Sequence, residues 1–124
     1  MVTESANAAL TEQTLDQWID GVDEQSELME VNKTELLKKA QEAQIKFDPE
    51  KKNPAVLWRL AKCTYKAASD AEVSGDKKRH KELLQQALQW AEEALAIEPE
   101  NGEAHAWAAY TCGKLSDHLG TKER

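Results

Sequence analysis

The run from Leu83 to Glu103 restricts the fold more than any other part of the chain. Between Leu83 and Ile97 the apolar and small residues fall on two adjacent stripes, Leu83-Ala87-Trp90-Ala94-Ile97 and Leu84-Leu88-Ala91-Leu95, at spacings that put each set on one side of an α-helix. A helix covered on one side only needs a single stripe. Two stripes, with Ala87, Ala91 and Ala94 where backbones can approach closely, predict a helix wedged between a helix before it and one after it. Glu98-Pro99-Glu100-Asn101-Gly102 then ends it, because proline disfavours helical geometry at the residue before it and Asn and Gly accept turn geometry. A new helix is due from Glu103. Helix, proline-bearing turn and helix with small residues at the crossing form the unit of an α-helical repeat.

The rest of the chain fits that unit. Alternation of β-branched residues is missing and only 5 Gly and 3 Pro occur in 124 residues, so the fold class is all-α. Residues 1–9 are small and polar and read as a flexible N-terminus, with a helical repeat domain over 10–124. A first helix is predicted from Leu10, with Leu15, Trp18, Ile19, Val22 and Met29 on or near one face and a possible break at Gly21. A second starts at Asn32, which has capping-box spacing to Glu35, buries Leu36, Ala40, Ala43 and Phe47, and ends at Asp48-Pro49. Pro54 opens a third, which presents Leu57, Leu60, Ala61, Thr64 and Ala68 to the core and runs to about Glu72. Ser74-Gly75-Asp76 is the next turn, with Asp76 capping the fourth helix. The fifth, from Glu103, packs Ala104, His105, Trp107, Ala108, Thr111, Cys112 and Leu115. Gly120 is its expected stop, and Thr121-Lys122-Glu123-Arg124 reads as the start of a sixth, so the sequence predicts a fragment of a longer array.

Charge is distributed in blocks behind a net −7. Residues 1–30 hold eight acids and no base; residues 54–81 hold seven bases and three acids. Such blocks ordinarily solvate a surface, but a basic stretch in an acidic chain is also a candidate contact for an acidic partner. Cys63 and Cys112 are isolated in sequence and read as structural thiols of a reduced, intracellular chain. No signal peptide or apolar run of membrane-spanning length is visible, which predicts a soluble cytoplasmic chain without a membrane span.

Nothing in the sequence assembles a catalytic, metal or cofactor site. His80, His105 and His118 have no metal-ligand spacing and no Gly-rich phosphate loop occurs, so the chain reads as a non-enzyme with no cofactor. Lys77, Lys78, Arg79, His80 and Lys81 stand out because they occupy the first turn of a helix, where the macrodipole disfavours cations. They are placed to touch an acidic polymer or a lipid surface.

Ala87, Ala94 and Pro99 resemble the second helix and exit turn of a tetratricopeptide (TPR) repeat. Asn53-Pro54-Ala55-Val56-Leu57-Trp58-Arg59-Leu60-Ala61 is similar to its first helix and recurs weakly from Asn101, 48 residues on against a usual period of about 34. The fold expected is therefore a TPR-like antiparallel helical-hairpin array of lengthened repeat. Carried over, that resemblance places Trp58, Lys62, Tyr65 and Lys66, and then Ala106, Tyr110 and Gly113, along a concave groove. Aromatics interleaved with lysines there suit an acidic peptide.

Pro54-Ala55-Val56-Leu57-Trp58-Arg59-Leu60-Ala61-Lys62 also resembles the opening of the regulator of microtubule dynamics family. Ala104-His105-Ala106-Trp107-Ala108 followed by Asp117-His118-Leu119-Gly120-Thr121-Lys122-Glu123 is similar to that family's later helix and the run after it. The resemblance implies a TPR-like cytoplasmic protein that associates with microtubules and spindle poles and influences chromosome segregation. Tubulin's acidic surface would meet Lys77, Lys78, Arg79 and Lys81, supported by Lys62 and Lys66. The alternatives are a scaffold that holds a partner's peptide against Trp58 and Tyr110, or lipid and organelle-contact work as in membrane-anchored relatives. No nucleic-acid partner is expected.

Overall fold

The computed structural model describes residues 14–28 and 32–123, the last five by backbone alone. Among them lie five α-helices: α1 (Leu15–Ser26), α2 (Lys33–Phe47), α3 (Pro54–Ser74), α4 (Lys77–Ile97) and α5 (Gly102–Glu123). The protein is all-α, as its composition predicts. The expected flexible end over residues 1–9, together with Leu10 and Met29, lies outside the described residues.

Local chemistry sets the boundaries. Thr14 is extended backbone, its side chain accepts from the Gln17 N–H, and Gln17 accepts in return from the Thr14 N–H. This reciprocal capping box fixes the start of α1 at Leu15, not at Leu10. Gly21 does not break α1. A helical glycine costs about 1 kcal/mol, less than what burying Trp18 and Val22 on either side returns. Asn32 and Asp76 cap α2 and α4 as predicted, Asn53 caps α3, and Pro54 occupies the first turn of α3. Gly75, with φ at 83°, makes the left-handed turn from α3 to α4. Gly120 has no such geometry, and α5 continues through it to Glu123. The expected stop there, and the sixth helix from Thr121, are both corrected.

The proline turns are cross-braced. Asp48 is buried, and its carboxylate accepts from the Lys52 and Asn53 N–H groups at 2.7 and 2.9 Å. Gln44, also buried, donates to the Asp48 carbonyl at 2.7 Å. At the later turn Asn101 caps α5 by accepting from the Ala104 N–H and donates to Glu98. His105 is exposed there, with Nε2 2.6 Å from the Pro99 carbonyl oxygen. It clasps the turn and does not pack in the core as expected. Ile97 and Cys112 are exposed too. Ile97 is the last residue of α4, and Cys112 lies about 100° around α5 from buried Thr111.

The helix at the centre is α3, which packs against α1, α2, α4 and α5, while α4 is wedged between α3 and α5 as its two stripes predict. α3 also touches α1 and α5 directly, whereas α2 packs on α1 and α3, and α4 on α3 and α5. Directions alternate along the chain: His80 early in α4 meets His118 late in α5, and Glu72 late in α3 meets Lys114 late in α5. This arrangement is compatible with a TPR-like hairpin array. Leu57, Leu60, Ala61, Thr64 and Ala68 are all fully buried, and Val56, Cys63, Ala67 and Ala71 join them. Burial pushes the Cys63 thiol up to about 12, so it stays protonated and inert. Arg59 ties α3 to α1 through a two-pronged bond to Asp23, at 3.0 and 3.1 Å.

Two consequences can be measured by denaturant unfolding. Ala94 has no exposed surface, so Ala94→Leu should overpack the α4 crossing and cost about 1–3 kcal/mol. Asp23→Ala should cost about 1 kcal/mol, a figure kept low because the carboxylate is partly solvated.

Candidate partner-binding surfaces

Helical spacing puts Trp58, Lys62, Tyr65 and Lys66 on one side of α3. Their surroundings differ from what their residue types promise. Trp58 is half-buried, covered by the Arg59 guanidinium 4.1 Å above its ring. Lys62 is buried; its Nζ lies 3.0 Å from Glu27 at the end of α1 and 5.8 Å over the Trp107 ring. Lys66 reaches the other Glu27 oxygen at 3.9 Å. The hydrogen bond and charge of Lys62, with Lys66 and Lys33 behind it, hold the Glu27 carboxyl below the usual range. These two lysines therefore share one internal counter-charge.

Between α3 and α5 the aromatics gather. Tyr65 meets Trp107 at 5.5 Å and Tyr110 at 6.4 Å between ring centres, and Trp107 meets Tyr110 edge-on at 5.3 Å. Tyr110 keeps 55% of its surface exposed, so the trio opens to solvent at one end. The Trp107 indole N–H is buried with no acceptor among the described residues, a cost of about 1–3 kcal/mol that one accepting group would remove. Ala106 is half-buried beside it, and Gly113 is exposed about two turns further along α5.

The sequence reading missed Trp107 and Glu27 as parts of this surface. Trp107 stands three residues before Tyr110, the spacing that stacks side chains along a helix, and could have been found. Glu27 gave no signal, because its partner Lys62 is 35 positions away.

The second surface lies where the chain turns from α3 into α4. Asp76 accepts from the Arg79 N–H, fixing the first turn. Lys77, Lys78 and Arg79 are exposed and Lys81 is partly exposed. Among the described residues none of these four joins an ion pair. No acid sits in the first turn of α4 to offset them. Only His80 turns inward. The geometry thus separates cations that hold the fold together, Arg59, Lys62 and Lys66, from cations left to solvent, Lys77, Lys78, Arg79 and Lys81. The two groups do not form one continuous basic run: by helix rise, Lys66 lies about 12 Å before the end of α3.

A cleft of about 590 Å³ opens elsewhere, between α1 and α2, over Trp18, Val22, Leu36 and Phe47. Its lining includes helix-face residues expected from the sequence but none of the candidate partner-binding residues. No helix of the described residues is long and apolar enough to cross a membrane.

Residues 15–124, which include all five helices, match the family described as Regulator of microtubule dynamics protein 1-3. The chain belongs to the regulator of microtubule dynamics family. Among curated relatives, Regulator of microtubule dynamics protein 3 of Xenopus laevis is 37% identical over 68 residues, covering 55% of this chain and 14% of that protein. Its counterpart in Bos taurus is 37% identical over 71 residues, again 55% and 14%. Regulator of microtubule dynamics protein 1 of Bos taurus is 33% identical over 75 residues, 60% of this chain and 23% of that protein. The matched segment thus spans less than a quarter of each of these regulators of microtubule dynamics. No solved structure matches the chain.

Proposed function

We propose that residues 10–124 are a non-catalytic helical interaction domain that associates with microtubules and contributes to the regulation of microtubule dynamics and of chromosome segregation at the spindle. Its place would be the cytoplasm, on the cytoskeleton and at spindle poles. The observation that carries this reading is the unpaired cationic turn of Lys77, Lys78, Arg79 and Lys81 in a chain of net charge −7. Like charges packed against the positive end of a helix macrodipole destabilise that helix. An acidic polymer such as the tubulin tail would relieve them, and membership of a family named for regulating microtubule dynamics supports that choice of polymer. Lys62 and Lys66 contribute less than their number suggests, because Glu27 already answers them.

The exposed edge of the Tyr65-Trp107-Tyr110 trio supports a second reading, a scaffold that holds a partner's peptide in the groove. Lipid or organelle-contact work, as in anchored relatives, has no comparable observation behind it.

Charge reversal separates binding from folding. Replacing Lys77, Lys78, Arg79 and Lys81 together by Glu places acids where the macrodipole favours them, by about 0.3–1 kcal/mol each. The variant should be at least as stable as the parent in urea, yet lose most of its co-sedimentation with microtubules at low salt. Undiminished co-sedimentation would refute the assignment. Under the peptide reading Tyr110→Ala is the damaging change instead, and it should weaken capture of a partner peptide with little dependence on salt.

A further inference from the structure

The inward-facing residue of the cationic turn has a partner. His80 is buried, and its Nδ1 lies 2.8 Å from Nε2 of His118 on α5, the rings 4.9 Å apart. Nε2 of His80 is 3.9 Å from Glu72 at the end of α3. A cleft of about 360 Å³, lined by Glu72, Gly75, Lys77, His80, Asp117 and His118, gives water access to the pair. The charged groups facing it are Glu72 from α3, Lys77 on α4 itself, and Lys114 and Asp117 from α5. Lys114 is paired with Glu72 at 3.3 Å, so that acid is shared.

We infer that the His80–His118 contact is a proton-operated latch that fastens the C-terminal half of α5 to the α3–α4 turn and opens on acidification. A bond between two imidazole nitrogens needs one N–H and one lone pair. With both rings neutral, or with one protonated, that need is met. When both are protonated, two N–H groups and two positive charges face each other at bonding distance. The bond is lost and the helices repel. Glu72 and Asp117 ease the first proton; Lys77, Lys114 and burial oppose the second.

The sign follows from the same groups. Burial foremost, with His118 and Lys114 behind it, lowers the His80 pKa from 6.5 despite Glu72 and Asp117. The opened state therefore binds more protons than the closed one below pH 6.5. Stability from the latch is complete above that value and is lost as pH falls toward the lowered one. The Glu27 carboxyl responds only below its ordinary 4.5, so its pairing with Lys62 is undisturbed in the latch window.

The test is amide hydrogen exchange of α5 between pH 7.5 and 5, corrected for the intrinsic pH dependence of exchange. For one extra proton taken up on opening, protection of residues 111–118 should fall by roughly tenfold per pH unit below 6.5 until His80 itself titrates. His118→Gln keeps a side chain that can hydrogen-bond but cannot ionise, and should flatten that dependence. Should His118→Gln not fold, nitrogen-15 histidine spectra of the parent protein decide: the His80 ring should titrate below 6.5. Protection in α5 that is independent of pH, or a His80 ring that titrates at the ordinary value, would overturn the latch. Neither readout involves microtubules, so its failure would leave the binding proposal standing.

Discussion

The structure depends on the burial of α3. Ten of its residues are out of solvent, against six in α4, and four other helices find their place by packing on it. Its small residues make this possible. Ala61, Ala67, Ala68 and Ala71 let neighbouring backbones approach closely, and Val56, Leu57 and Leu60 supply the apolar area that drives association. Thr64 is fully buried without penalty because its hydroxyl donates to the Leu60 carbonyl within the same helix at 2.7 Å.

Once α3 is enclosed, its remaining polar residues must be satisfied by their neighbours, and this sorts the charges of the whole domain. Arg59 reaches back to Asp23, and Lys62 and Lys66 to Glu27, all partners on or at the end of α1. The acidic N-terminal block is thus partly an internal counter-charge for the basic middle. Past the Gly75 turn the adjacent acid, Asp76, is occupied in capping the Arg79 N–H, and Lys77, Lys78, Arg79 and Lys81 join no ion pair among the described residues. An acidic average conceals one cationic end.

Much of the fold was legible in the sequence because its signals are local. Caps at Asn32 and Asp76, the first-turn Pro54, the turn glycine at Gly75 and the two stripes of α4 all act within a few residues. The central role of α3 was harder to read. Arg59, Lys62, Tyr65 and Lys66 interrupt its apolar arc, and nothing local announces that α1 and α5 will cover them. His105 misled for a related reason: its position around the helix predicts packing, but the Pro99 carbonyl in the preceding turn captures its ring. Gly120 misled because glycine ends a helix only when it turns left-handed, which residue type permits but does not require. The exposed cations were visible as a motif. That they, unlike Lys62 and Lys66, have no partner among the described residues could come only from the fold.

The distinction between answered and unanswered cations is the account's central claim, and the most direct measurement is co-sedimentation of the unaltered domain with stabilised microtubules over a salt series, repeated after removal of the acidic tubulin tails. The account predicts binding at low salt that declines as salt screens the charges and falls sharply once the tails are gone. Binding that is indifferent to both, or no binding at low salt, would contradict it.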